Sequence, residues 1–306
     1  MKKISFFAAH YHHATMKPIF LGLFCFVSIH CFSQKTLEYN LTVGDTFTVR
    51  QLAYQHIAQE IGGVEQIIEN NLTGEMRFEV VAASPSDYTL SMVFKRLKMV
   101  MSSPTLGELS NMDTVSEDSS DMGSMLFKGL LDVPVSITMG RNGKILSVTG
   151  GENLVTSMFE YAGIHDPNII AASKGEMEKQ FGSQALSESF EQMTHFYPTT
   201  PVNVGSEWRN NFNGNLSAEN HWKLDNITDT AFQISGTAST TMSNIDENIA
   251  MTLKGNQNTT ITANPKTGLF IEIEVTGENT GDTFFIKQNQ TIPTHIKSTI
   301  IYKIII

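Results

Sequence analysis

The chain has 306 residues, 41% of them hydrophobic, with 21 basic against 31 acidic side chains and a formal net charge of −10. That apolar share suffices for a core and excludes a wholly disordered chain. Mean hydropathy near zero and no body segment of about twenty apolar residues argue against an integral helical membrane protein. The acidity argues against nucleic acid and anionic membrane surfaces, because phosphate binding needs a basic face.

Residues 16–34 open on Met16-Lys17-Pro18, continue as an apolar run, and end on weakly polar Ser33-Gln34. This is the layout of a secretory signal, with cleavage expected near Ser33/Gln34. An uncleaved anchor is the alternative. Residues 1–15 read either as an over-called start or as a longer leader. Phe24 before Cys25 and His30 before Cys31 disfavour lipidation, which wants a small residue there. Both cysteines lie in this segment, so the mature chain would hold no disulfide and no thiolate metal site. Export would remove three lysines and no acid, leaving the mature protein more acidic still. The expected location is the periplasm or the exterior, with no membrane span after cleavage.

Residues 34–150 are expected to form a first β unit. Residues 36–42 alternate apolar and polar and read as a strand. The stretch 46–60 is rich in Thr, Val, Tyr and Ile and reads as a long strand, with Gly62-Gly63 turning it back into 66–82. Ser84-Pro85-Ser86-Asp87 is the next turn. Tyr88, Leu90, Met92 and Phe94 then share one face. Residues 102–121 are polar and acidic and read as a mobile loop. A short helix follows over 122–131.

Residues 137–150 form a hairpin around Asn142-Gly143, where both central residues need φ > 0. The same design recurs at 261–277 around Asn264-Pro265-Lys266-Thr267-Gly268. Each copy opens with Ile-Thr and closes with Val-Thr-Gly. A second echo pairs Leu41-Thr-Val-Gly-Asp-Thr-Phe47 with Val202-Asn-Val-Gly-Ser-Glu-Trp208. Two related β units are therefore expected, 34–150 and 201–306, with a helical insert over 151–200 between them. In the insert, Val155, Met158 and Phe159 mark one amphipathic helix. Ile169, Ile170, Met177 and Phe181 mark a second, and Leu186, Phe190, Met193 and Phe196 a third. Asp166-Pro167 is a helix start. The terminal 300–306 is so apolar and β-branched that it must be paired. The fold class is α+β and predominantly antiparallel β, as two related long-stranded, curved, half-barrel-like sheets around a central helical insert.

No catalytic or nucleotide-binding fingerprint is present. His56, His165, His195, His221 and His295 are scattered and read as structural or surface residues. Asp113, Glu117, Asp118 and Asp121 offer oxygen ligands at no EF-hand spacing and read as a solvated acidic loop. Asp113-Thr-Val and Asp229-Thr-Ala match a short O-glycosylation acceptor pattern. Trp208, Trp222, Met158, Phe159, Phe190 and Met193 are the candidate pocket-lining residues, with core packing as their alternative role. No cofactor and no metal site is expected.

The chain resembles an uncharacterised group of exported proteins from Gram-negative bacteria of the Bacteroidota type. The matching stretches are Ser33-Gln34, 37–47, 142–150, Phe190-Glu-Gln-Met193 with Pro198, Val204-Gly-Ser-Glu-Trp208, and 297–302. The resemblance implies export and carries over no activity. The expected function is non-enzymatic binding of an apolar small molecule or lipid, or of an envelope protein, through curved sheets. A ligand-free structural protein and a hydrolase with an unrecognised site are the alternatives.

Overall fold

The computed structural model describes residues 34–118, 120–246 and 248–305, so the export signal expected over 1–33 lies outside the described residues. In chain order the elements are β1 (Thr46–Ile61), β2 (Val64–Ala83), β3 (Asp87–Ser103), β4 (Gly107–Asp113), α1 (Met122–Lys128), β5 (Val135–Gly140) and β6 (Ile145–Thr149). Then come α2 (Gly151–Tyr161), α3 (Pro167–Phe181), α4 (Ser183–Thr194), β7 (Glu207–Phe212) and β8 (Leu216–Ile227). β9 (Phe232–Ile245), β10 (Ile249–Ala263), β11 (Phe270–Phe285) and β12 (Gln290–Ile305) complete the described chain. Antiparallel strand predominates, and the sheet is open and curled.

The two expected sheets are one. The strand order is β6-β5-β3-β2-β1-β12-β11-β10-β9-β8-β7, with β4 added beside β3. The five strands on either side of β12 run in the same relative order, so the repeat is a tandem one. Its joint is the Ile-rich terminal strand. β12 pairs with β1 from Ile305 to Thr294 and with β11 from Lys303 to Gln290. Both its edges are satisfied, which removes the aggregation hazard that its composition would otherwise present.

The repeat holds at the level of single hydrogen bonds. Gly44 N–H donates to Val80 O (2.9 Å) and Val80 N–H to Asp45 O (2.9 Å). In the second unit Gly205 N–H donates to Leu224 O (2.7 Å) and Leu224 N–H to Ser206 O (3.0 Å). The turn side chains correspond too. Asp45 Oδ2 accepts from Thr42 N–H at 2.8 Å, and Ser206 Oγ from Asn203 N–H at 3.0 Å.

Three local expectations change. Residues 36–42 do alternate, with Leu37, Tyr39 and Leu41 buried, but they join no ladder. They form a strap laid over both repeated hairpin turns: Tyr39 N–H donates to Arg141 O (2.8 Å) and Asn40 N–H to Thr267 O (2.7 Å). The loop expected over 102–121 contains β4, paired with β3 from Lys98↔Asp113 to Ser103↔Gly107. Its polar residues hid it, because an edge strand needs no apolar face. The helix α3 starts at Asp166-Pro167 as expected, Asp166 capping Asn168 N–H, yet it buries no residue fully. Met177 and Phe181 pack partly on the core, while Ile169 is exposed.

The helices cover the end of the sheet where the strap lies. Phe78 stacks on Phe47 (5.1 Å between ring centroids) and meets Phe190 of α4 edge-on (6.0 Å). α4 also joins the two outermost strands. It packs on β6, and its C-terminal turn is held by β7, where Asn210 Nδ2 donates to His195 O (2.5 Å) and Trp208 Nε1 to Phe196 O (2.9 Å).

The curl has a crease. Gly255 of β10 lies in register between Thr240 of β9 and Asn279 of β11. With no side chain between them, Thr240 Oγ1 donates to Asn279 Oδ1 at 2.6 Å, buried. A Cβ at Gly255 would run into the Glu278 carbonyl and the Asn279 backbone.

Candidate functional site

The six candidate pocket residues are placed as follows. Met158, Phe159, Phe190, Met193 and Trp222 are buried, and Trp208 is half-buried against the core. Trp222 lies over Gly236, where a Cβ would strike its ring, and its Nε1 donates to Asn210 Oδ1 at 2.9 Å. Met158, Phe190 and Met193 belong to the buried core cluster, and none of the six lines the grooves described below.

Beyond the helices the inner face of the sheet continues. Strand register assigns it: Val49 and Met76 point into the core, so every second residue onward does too. Along β1, β2, β3 and β12 this places Ile57, Ile68, Leu72, Met99, Met101 and Ile300 inward, and all six are half-buried. They form an apolar band that the helical layer does not close over. The β-hairpins at that far end carry exposed aliphatics at their tips, including Ile61, Val64, Leu106, Ile245 and Ile286.

One inner row is made of amides. Asn70 pairs with Gln55, Gln55 with Ser298, Ser298 with Gly277, Gly277 with Gln257, and Ala238 carries the row from Gln257 to Asn220. Asn70 Nδ2 donates weakly to Gln55 Oε1 at 3.5 Å. Asn70 Oδ1 and Asn220 Nδ2 are buried without a hydrogen-bond partner, and Asn220 is only 3% exposed. Sequence reasoning had no access to this row. Its members share no spacing along the chain, and only cross-strand register assembles them.

The solvent face is different. It bears shallow grooves of about 700 Å³ and about 660 Å³ that share Asn256 and Asn258. Around them run ladders of cross-strand contacts between a carboxylate and an imidazole or ammonium group. Glu278 lies 2.6 Å from His295 and 3.8 Å from Lys297, and Glu207 lies 3.1 Å from His221. His56 stands 4.0 Å from Glu69. Among the described residues no group of three or more His, Cys, Asp or Glu side chains is placed to hold a metal ion, and no helix is long and apolar enough to cross a membrane. Of the expected acidic cluster, Asp121 caps α1 by accepting from Gly123 and Ser124 N–H, and Asp113 pairs with Lys98 at 3.0 Å.

Among the described residues, His195 is the one histidine drawn into the fold. Its Nδ1 lies 3.1 Å from Glu191 Oε1, and its Nε2 is 3.3 Å from Asn142 Nδ2 in the first hairpin turn. Burial lowers its pKa below the ordinary value, against the opposing pull of Glu191.

No curated protein matches the sequence. Among solved structures, the chain is similar to lipovitellin, in a structure concerned with lipid–protein interactions, at TM-score 0.47 and 12% identity. The match covers 87% of this chain, which spans about a quarter (25%) of the lipovitellin chain. An outer membrane channel from Pseudomonas putida F1 matches at TM-score 0.22 and 8% identity, over 87% of this chain and 97% of that one. The translocator domain of the autotransporter NalP from Neisseria meningitidis matches at TM-score 0.20 and 8% identity, over 87% and 90%. A family model matches residues 85–270, more than half of the chain. The chain belongs to that family, DUF6263, a family of unknown function.

Proposed function

We propose that the protein is an exported, non-enzymatic binding protein that holds an apolar ligand against the inner face of its curled sheet. The observation that carries this reading is the half-buried band of Ile57, Ile68, Leu72, Met99, Met101 and Ile300 beyond the helices. A face built only for stability would be covered, because each fully buried aliphatic side chain is worth about 1.5–3 kcal/mol over an exposed one. Methionine suits an adaptable apolar contact. The exposed aliphatics at the far hairpin tips give an apolar ligand a wet-to-dry path onto that face. The non-enzymatic part is supported by the placement of three imidazole–carboxylate pairs, those of His56, His221 and His295, on the open solvent face as sheet ladders, and of the fourth, His195–Glu191, at the joint between α4 and the first hairpin turn.

Native mass spectrometry and solvent extraction of the protein purified from its own host test the reading. A co-purifying apolar molecule is expected, and the stripped protein should rebind it. Leu72→Asp and Ile300→Asp should abolish uptake while the far-ultraviolet dichroism stays native. A protein that carries nothing and takes up no apolar dye after extraction overturns it.

The solvent face favours a second reading, contact with an envelope protein. Asn211, Asn256, Asn258 and Thr237 line the largest of these grooves and present amide and hydroxyl groups to solvent. Cross-linking in the native host, with Asn256→Arg as the disrupting variant, decides that reading independently of the first.

A further inference from the structure

We infer that the hairpin tips at the far end of the sheet dock on a lipid bilayer with zwitterionic headgroups. This rests on the ligand-holding reading above and names the surface from which the ligand is taken. β1, β3, β9 and β11 all run away from the strap, so the hairpins that follow them, over 61–64, 103–107, 245–249 and 285–290, share one rim. The turns themselves are made by Gly62-Gly63, Gly107, Asp246 and Asn289. Beside these residues stand Ile61, Val64, Leu106, Ile245 and Ile286, all exposed. Leu106 and Ile245, at 72% and 69%, are the most exposed large apolar side chains among the described residues. Single exposed aliphatics are ordinary, but five on one rim mark a contact surface.

Two observations name the occupant. The first is what lies behind the tips. Ile61 shares its face of β1 with Ile57, so the rim runs into the half-buried apolar band. A bilayer takes up aliphatic tips and also holds the hydrocarbon that the band would receive. The opposite end exposes Val43 and Val204 on the two repeated turns. There the strap and the helices lie over the inner face, and no open apolar band continues behind them. The second observation is charge. Among the described residues, the tips and their immediate flanks carry Glu60, Glu65, Glu108 and Asp246 against Lys287 alone. Asp246 accepts from Asn248 and Ile249 N–H at 2.7 Å and 2.9 Å, which holds its carboxyl below the ordinary carboxylate range. An anionic bilayer would repel such a rim. A zwitterionic surface does not, and insertion of the aliphatic tips is then the driving force.

The test uses the full mature chain after solvent stripping, with vesicles of dioleoylphosphatidylcholine, alone or with about 30 mol % dioleoylphosphatidylglycerol. Binding is read by flotation, and uptake of an apolar dye added from solution is read separately. Wild type should float with the zwitterionic vesicles, less with the anionic ones at low ionic strength, and equally with both at about 0.5 M salt. Leu106→Asp and Ile245→Asp should each lower the partition coefficient at least about fivefold, while dichroism and dye uptake stay native. Val43→Asp, at the covered end, should leave it unchanged. Wild type that fails to float overturns the docking surface. So do tip variants that float normally, a Val43→Asp loss equal to theirs, or tighter binding to the anionic vesicles. A dimer that Leu106→Asp dissolves, in a protein that does not float, assigns the tips to a second copy and overturns it too. Dye uptake without flotation removes only the docking surface, whereas absence of dye uptake removes the ligand-holding reading and the docking that serves it. The lipid-charge series needs no variant, so it decides even if a substitution unfolds the chain.

Discussion

The Tyr39 hydroxyl donates a 3.0 Å hydrogen bond to the carbonyl of Thr194, joining the N-terminal strap to the last turn of α4 across 155 residues of chain. The ring sits against Tyr197 (5.4 Å) and Phe196 (6.1 Å). Its own carbonyl accepts from the Tyr88 hydroxyl at 3.0 Å. Burial lifts the Tyr39 phenol well above its ordinary pKa, and Tyr197 adds to the effect, so it remains a donor throughout the physiological range. Tyr39→Phe keeps the packing and removes the donor, while the Thr194 carbonyl still accepts from Phe196 N–H at 3.2 Å. The expected cost is about 0.5–1.5 kcal/mol, read as a fall in the urea midpoint at unchanged slope. An unmoved midpoint would show that the strap is held by its backbone bonds alone.

Gly143 and Gly62 both sit at turn positions with positive φ, +90° and +62°, but their surroundings differ. A Cβ at Gly143 would meet the Thr194 carbonyl and the Tyr39 ring, whereas at Gly62 it would meet open space. Gly62→Ala should therefore cost only the left-handed strain, about 1–2 kcal/mol. Gly143→Ala adds displacement of the strap, and its loss should exceed that of Gly62→Ala by at least about 1 kcal/mol. Equal losses in parallel thermal melts would mean that the strap yields freely.

Burial depresses the pKa of His195 in the folded protein, while the unfolded chain keeps a value of about 6.5. Between the two values the unfolded state binds more protons, so stability rises with pH across that window and falls as pH drops below about 6.5. Protonation also places an N–H on Nε2 opposite the Asn142 amide, 3.3 Å away, at the joint between the first hairpin and α4. The unfolding free energy measured from about pH 8 to pH 5 should therefore decline, and His195→Gln should flatten that decline. A variant that keeps the full slope would assign it to other groups.

The parts of this fold legible in the sequence were those written locally. Gly62-Gly63 and Asp166-Pro167 each state a turn or a helix start in two residues, and the structure has them there. Asn142-Gly143 does mark the hairpin, but only Gly143 takes positive φ, because the turn closes earlier, with Gly143 N–H donating to Gly140 O at 2.8 Å. The duplicated hairpins announced a repeat. They could not announce a single sheet, because that depends on β12 pairing with β1 almost the whole chain away. The strap shows the same limit. Alternation told which of Leu37, Glu38, Tyr39 and Asn40 are buried, and nothing about what they lie against. Met and Phe spacing marked Met158, Phe190 and Met193 as inward-facing, which is as true of packed helices as of a pocket wall. Asn70, Gln55, Ser298 and Asn220 carry no signal in one dimension, since register alone sets them side by side.

The crease at Gly255 gives the last test. Gly255 lies between Thr240 and Asn279, and the absence of a side chain lets those two bond across it. Thr240→Val removes the donor and leaves Asn279 Oδ1 unpaired, at an expected cost of about 1–3 kcal/mol. Gly255→Val should cost more, because its Cβ collides with backbone of β11, which cannot step aside as a side-chain tip could. The substitution should also flatten the curl, since β9 and β11 could no longer close over β10. Hydrogen exchange distinguishes the two effects. In Thr240→Val the amides of β9 to β11 should lose protection uniformly, by no more than the global loss of stability. In Gly255→Val the amides flanking position 255 should exchange faster than global unfolding accounts for. Equal protection in the two variants would mean that the curl is set elsewhere in the sheet and Gly255 merely tolerates it.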